Sequence, residues 1–175
     1  MKKILIVVLF SIPIMNFLDA QDFKTDKKKQ YKAVQINIAP VIDGVLDEDV
    51  WNEGIWMNDF IQYEPYNGRQ ATQRTEFKIL FDKDNLYVGI KAYDTSPDSI
   101  VNRLTRRDQL DGDKVGIIVD SYHDLRTGFL FGVSSAGVKN DELYSNDGQN
   151  VDSSWDANWW AKTSMDNEGW VAEMK

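Results

Sequence analysis

Cysteine is absent from the 175 residues, and histidine occurs once, as His123. The first absence excludes disulfides, thiolate metal sites, a cysteine nucleophile and lipid attachment through cysteine. The second excludes a multi-histidine metal centre. Positive charge is also short: 20 Lys and Arg face 28 Asp and Glu, a formal net charge of −8. Phosphate recognition needs clustered cations, so nucleic acid is not an expected partner. Proline is scarce, at four residues. What the chain does have is six Trp, seven Tyr and eight Phe. Aromatic richness of this kind favours strands and offers an aromatic binding face. A hydrophobic share of 42% with 27% charged residues describes a folded chain.

One long apolar run exists. Met1-Lys2-Lys3 is basic, Ile4 to Ile14 is almost wholly apolar, and Leu18-Asp19-Ala20 ends on a small residue. This is the order of a secretory signal peptide, expected over residues 1–20 with cleavage after Ala20. The run is too short for a membrane span of ~20 residues. The polar, Lys-rich stretch that follows is expected to be a flexible linker over 21–32.

From residue 33 the pattern is that of strands. Val34, Ile36 and Ile38 alternate with polar neighbours until Pro40. Phe77, Ile79 and Phe81 alternate, Asp82-Lys83-Asp84-Asn85 turns, and Leu86, Val88, Ile90 and Ala92 alternate again, which predicts a hairpin with a four-residue loop. Val115 to Val119 and Phe129 to Val133 predict a second hairpin. Val138 to Tyr144, Ala157 to Met165 and Trp170 to Lys175 are further strands, the last read as an edge strand interrupted at Lys175. Asp47 is expected to cap a short helix through Trp51, with Leu46 and Trp51 as a staple. Ser96-Pro97-Asp98 predicts a second helix to about Leu104. Many short strands with almost no helix predict an all-β, jelly-roll-like antiparallel β-sandwich with one or two short helices, over residues 33–175.

Among residues that carry chemistry, Trp155 stands out. It sits in the polar run Asp152-Ser153-Ser154-Trp155-Asp156, and a flat ring flanked by carboxylates suits a pyranose: the ring takes the C–H face and Asp152 or Asp156 accepts hydroxyl hydrogens. The same ring would equally plug one end of a sandwich. Trp159 and Trp160 are successive strand residues and point to opposite faces, so one is core and the other exposed. Arg106 and Arg107 can clamp hydroxyls or carboxylates, or fix their loop through an internal ion pair. Asn146-Asp147-Gly148 and Asp111-Gly112-Asp113 offer hard oxygen ligands to Ca²⁺ without the EF-hand spacing, so the metal content is open and no cofactor is expected. His123 has no serine or cysteine pattern beside it and reads as a turn residue. A glycosidase needs two carboxylates roughly 5–10 Å apart across a cleft; no pair is marked out by spacing, and a non-catalytic domain is expected.

Several segments together resemble carbohydrate-binding module family 9. They are Ile42-Asp43-Gly44-Val45-Leu46-Asp47-Glu48-Asp49-Val50-Trp51, Leu86 to Asp94, and Asp113 to Asp120. A branch of that family precedes a membrane β-barrel in outer-membrane proteins of Gram-negative bacteria, and its pattern is matched by Arg106-Arg107-Asp108, His123 to Gly128, Ser135 to Val138, and Ser154-Trp155-Asp156-Ala157. The resemblance covers about Tyr31 to Lys175. It implies a sandwich that binds oligo- or polysaccharide without chemistry, export to the periplasm or outer membrane, and continuation into a C-terminal barrel. It also implies a sugar held between two tryptophans. Here the first tryptophan position falls on Gln109 and Leu110, a glutamate position on Gly116 and an arginine position near Gly132, while the second tryptophan would lie beyond Lys175. The alternative is therefore a structural or interaction domain that keeps the fold and has lost the sugar site. Trp51 and Tyr87, at motif positions, read as scaffold.

Overall fold

Strands β2 (Thr75–Phe81) and β3 (Leu86–Tyr93) form the expected hairpin, with Phe81 paired to Leu86 across residues 82–85. Asp82 builds that turn. Its carboxylate accepts the N–H groups of Asp84 and Asn85 at 2.7 Å each and the Tyr87 hydroxyl at 2.7 Å. These hydrogen bonds, the one from Asp84 foremost, pull the carboxyl down to about 2. Burial, and then Asp82 itself, push the Tyr87 phenol up to about 12. This is a computed structural model, and it describes residues 29–175. The expected signal peptide, Met1 to Ala20, and most of the expected linker lie outside the described residues.

The described residues form two sheets. The first has the order β1 (Val34–Gln35), β2, β3, β9 (Gly169–Met174), β8 (Ala161–Met165), with β1 parallel to β2 and the rest antiparallel. The second is an antiparallel sheet of β4 (Lys114–Val119), β5 (Gly128–Ser134), β6 (Lys139–Ser145) and β7 (Asn150–Asp152). Alternate residues turn inward and meet. Val88 and Ile90 of β3, with Trp170, Ala172 and Met174 of β9, pack with Val115, Ile117, Phe131 and Val133 of β4 and β5, and with Ile100 and Trp159. Each large side chain withdrawn from water there contributes roughly 1.5–3 kcal/mol. The all-β sandwich read from the sequence is the observed fold.

The first sheet is also covered on its outer face. Ile36, Val50, Trp51, Leu80 and Tyr87 form a second core with Val34, Ile42, Leu46 and Trp56. Gly89 makes room for this layer, since a Cβ there would stand 2.9 Å from both Leu46 and Trp51. Glu173, fully buried, pins it. Its Oε2 accepts the N–H groups of Asp43 (2.9 Å) and Gly44 (2.7 Å), and its Oε1 accepts the Trp51 indole N–H (3.1 Å). Burial still raises the Glu173 carboxyl above its ordinary value. Gly44 is required at its position: φ is +95°, and a Cβ would meet the Thr163 backbone at 3.0 Å. The opening motif is thus a clasp between the N-terminal segment and β9.

Four expectations are corrected. The helix after Asp47 is a 3₁₀ turn over Asp49–Asn52, preceded by Glu48 with no side-chain cap, although Leu46 and Trp51 do both pack in the second core. The second helix is a 3₁₀ turn of Pro97–Ser99; beyond it Val101 N–H is drawn to Asp113 Oδ2 (2.8 Å) and Asn102 bridges Gly112, which extends the chain. The first strand is only two residues, and Ile38 is exposed. Trp170 to Lys175 is no edge: β9 lies between β3 and β8, with apolar residues of one face in the main core.

Candidate functional site

The first sheet has a core on either side. The second is packed only on its inner face, so its outer face is where side chains are free to meet a ligand. Strand alternation decides which ones they are. Lys114, Gly116 and Ile118 of β4, Leu130 and Gly132 of β5, and Asn140, Glu142 and Tyr144 of β6 line one groove of about 590 Å³, with Asp108, Gln109 and Leu110 along a margin. The register sets Gly116 beside Gly132 and Gly132 beside Asn140. Two side chains are missing from the middle of that row, and this is what hollows the face.

Asn140 lies in this row and is 6% exposed. Among the described residues its side-chain amide has no hydrogen-bond partner. Next to it the Tyr144 hydroxyl donates to Glu142 Oε2 at 2.7 Å. That bond, followed by burial, raises the phenol above its ordinary value. Asp108 accepts the Asp141 N–H at 3.4 Å and stands 3.7 Å from Arg107. The groove therefore presents an amide, a carboxylate holding a hydroxyl, the ammonium of Lys114, and the apolar flanks of Leu110, Ile118 and Leu130. Such a set can exchange hydrogen bonds with hydroxyl groups and cover C–H surface. Both carboxylates in it are already engaged by the protein.

The residues singled out from the sequence lie elsewhere. Trp155 is half-buried, with its ring 5.0 Å from Phe129 and 5.8 Å from Phe131. Phe131 continues to Trp159 at 5.5 Å, and Phe129 to Tyr122 at 5.8 Å. Phe129 and Phe131 alternate with Leu130 and Gly132, so Trp155 sits against the face of β5 opposite the groove. Arg107 and Asp156 are brought together, but around Asp141. Arg107 Nη2 is 2.5 Å from the fully buried Asp141 Oδ1 and also pairs with Asp156. Asp141 further accepts the Ala157 N–H and the Trp159 indole N–H (3.3 Å). Asp152 accepts the Ser154 hydroxyl (2.6 Å) and N–H (2.9 Å), which hold its carboxyl below the usual range. Arg106 is exposed. Trp159 is buried and Trp160 is 51% exposed, one in the core and one out as expected, although both precede β8, which begins at Ala161 and not at Ala157.

The loop acids considered for calcium have other partners: Asp147 pairs with Arg126 at 3.0 Å, Asp111 with Arg103 at 2.5 Å, and Asp113 accepts Val101 N–H. Among the described residues no three His, Asp or Glu side chains converge on one point. The sequence reading does not single out Asn140 or Tyr144 as site residues, and it weighs Glu142 only beside Asp141 as one acid among many. Their signal was there, as polar residues at every second position of a predicted strand, but it is the same signal that any solvated strand face gives.

The fold is that of carbohydrate-binding modules of family 9. Solved structures that carry it include two of a family 9 module from Caldicellulosiruptor kristjanssonii. The one in complex with cellotriose superposes with a TM-score of 0.57 at 23% identity, over 82% of this chain and 66% of that one. The one in complex with glucose gives 0.56 at 24% identity, over 82% and 67%. The chain thus spans about two thirds of their length. No protein-family model and no curated protein sequence matches the chain.

Proposed function

We propose that this chain is an exported, non-catalytic carbohydrate-binding module, and that its glycan site is the groove on β4–β6. Asn140 carries the reading. Its amide makes no hydrogen bond to the protein and lines the open groove, so a ligand hydroxyl placed between Gly116 and Gly132 would meet a free donor and acceptor, each such bond contributing about 0.5–1.5 kcal/mol. The two neighbours of known structure hold cellotriose and glucose, so β-linked glucose oligomers are the first ligands to test. Absence of catalysis fits the groove's carboxylates, since Glu142 already holds Tyr144 and Asp108 the Asp141 N–H. Export to the periplasm or outer membrane of a Gram-negative bacterium is supported by the charged, apolar and small-residue order of residues 1–20. Continuation into a membrane barrel rests on the resemblance of the Arg106-Arg107-Asp108 and Ser154-Trp155-Asp156-Ala157 segments.

The second reading, a structural or interaction domain without a sugar site, draws on Gln109, Leu110, Gly116 and Gly132, which stand where the family keeps its sugar contacts. A glycan array followed by calorimetry with glucose and cellotriose separates the two. Binding is expected, weakened about 3–10-fold in Asn140→Ala by loss of one hydrogen bond. Gly132→Val, whose Cβ would stand 3.4 Å from Leu110 and whose methyls would enter the groove, should reduce it further. A folded protein that retains no glycan on the array establishes the structural reading.

A further inference from the structure

Away from the groove, the chain between the second core and β2 projects a hairpin. Ile61 bridges Gln70. Within it Gln62 N–H donates to Arg69 O (2.8 Å), Gly68 N–H to Gln62 O (2.9 Å) and Arg69 N–H to Tyr66 O (3.1 Å). The Gln62 side-chain amide adds a bond to Gln70 O at 2.8 Å. So many internal bonds in ten residues make this a formed element. At its tip stand Tyr63, 80% exposed, and Tyr66, 55% exposed. The Arg69 guanidinium lies 4.3 Å from the centre of the Tyr66 ring. One face of Tyr66 is thereby backed and the ring is held before any ligand arrives. Phe60 anchors the base by an edge contact to Phe77 at 5.5 Å.

Exposed apolar groups gathered together and rimmed by polar residues mark interaction sites, and here Ile61, Tyr63 and Tyr66 are all exposed on one hairpin. Tyrosine supplies contact area at small conformational cost, with a hydroxyl at the wet end. Around the two rings the exposed polar side chains are Glu64, Asn67, Arg69 and Gln70, a set of donors and acceptors with one charge of each sign, and Ile61 and Pro65 are exposed beside them. That chemistry matches a neutral chain of pyranose rings, which offers C–H faces to stack and hydroxyls to bond. An anionic lipid surface matches it poorly, because Glu64 stands at the tip and the whole chain carries −8.

We infer that the Tyr63–Tyr66 hairpin is a second glycan contact, a surface platform that stacks on a neutral polysaccharide. The inference rests on the reading of this chain as a glycan-binding module and adds a site to it. A short oligosaccharide occupies the groove; a polymer reaches the platform as well, and the two contacts on one chain act through effective concentration.

The test compares the full chain with Tyr63→Ala/Tyr66→Ala and with Asn140→Ala. Affinity electrophoresis in hydroxyethyl cellulose and in mixed-linkage β-glucan measures polymer binding, and calorimetry with cellotriose measures the groove. The double tyrosine variant should lose about tenfold in retardation by polymer, keep the cellotriose affinity and keep its urea midpoint, since both rings are exposed. Wild-type retardation by polymer with no loss in the tyrosine variant overturns the platform and leaves the groove standing. Loss in the tyrosine variant alone, with Asn140→Ala unchanged on cellotriose, overturns the groove and supports the platform. No retardation of wild type overturns the platform. Sedimentation with phosphatidylcholine and phosphatidylglycerol vesicles is the last arm; tyrosine-dependent sedimentation without polymer binding would identify a lipid contact and overturn the proposal.

Discussion

Truncating Trp155 to alanine tests whether its ring belongs to the scaffold or to a ligand platform. Fully buried tryptophans lose about 3–5 kcal/mol on such truncation. Trp155 is half-buried, so the transfer share falls to about 2 kcal/mol. Its ring also meets Phe129 at 5.0 Å and Phe131 at 5.8 Å, and aromatic pairs add about 0.5–1.5 kcal/mol each. Part of that is contained in the burial figure, which brings the expected loss to roughly 2–3 kcal/mol. With a urea slope of about 1–3 kcal/mol/M, the midpoint of Trp155→Ala should fall by about 1 M or more. Thermal unfolding should drop by about 5–10 °C at this chain length. Trp155→Phe, which keeps a ring against Phe129, should recover part of the loss. Trp160→Ala, with its side chain half in water, should cost under about 1 kcal/mol. Below the transition, Trp155→Ala should bind cellotriose like wild type, because the ring and the groove lie on opposite faces of β5. An unchanged urea midpoint together with lost glycan binding would refute the reasoning and make Trp155 the platform.

Two further outcomes follow from buried and hydrogen-bonded carboxylates. Arg107→Leu leaves Asp141, fully buried, without its guanidinium; stability should fall by about 2–4 kcal/mol by chemical denaturation, whereas a guanidinium serving only as a ligand clamp would leave the midpoint in place. Asp82 has a folded value of about 2 against 3.8 for its ordinary state, so its contribution is present above pH ~4 and is lost as pH falls through 2; Asp82→Ala should flatten the acid limb of the stability–pH curve between those values, and a parallel curve for both proteins would count against the turn's role.

Strand alternation made most of the fold readable. Phe77 to Ala92 and Val115 to Val133 each specify two strands and a turn by period two, and the turn acids at Asp82 and Asp120 confirm where each hairpin closes. Asp120 accepts the N–H groups of Asp124 and Leu125, in a loop where His123 and Leu125 adopt positive φ. The helix signals misled because a cap and a proline are local preferences. Asn102 and Gly112 are ten residues apart, and their pairing stretches the chain that Ser96-Pro97 would have wound. The central place of β9 was likewise illegible, since a strand's neighbours are set by contacts far along the chain. The site was the least legible part. Trp155 drew attention through polar sequence neighbours, yet those neighbours cap a turn and pair with Arg107, while the ring turns to Phe129.

A physical asymmetry separates the recognisable segments from the groove. Asp43-Gly44 and Trp51 converge on Glu173, while Arg107, which also pairs with Asp156, and the Ala157 N–H converge on Asp141. Each set ties segments distant in sequence to one fully buried carboxylate. Removing the Trp51 indole or the Arg107 guanidinium leaves a buried carboxyl short of a donor, so those two side chains are tied to their partners, while the Asp43, Gly44 and Ala157 contacts come from the backbone. The outer face of β4–β6 carries no such obligation. Gly116 and Gly132 contribute no side chain, Asn140 answers to no other residue, and Glu142 with Tyr144 makes a bond within one strand. The backbone ladder holds whichever residues point outward there. The same sandwich can therefore be kept while this outer face is rewritten, and the proposed glycan site has to be tested at the groove itself, beginning with the amide of Asn140.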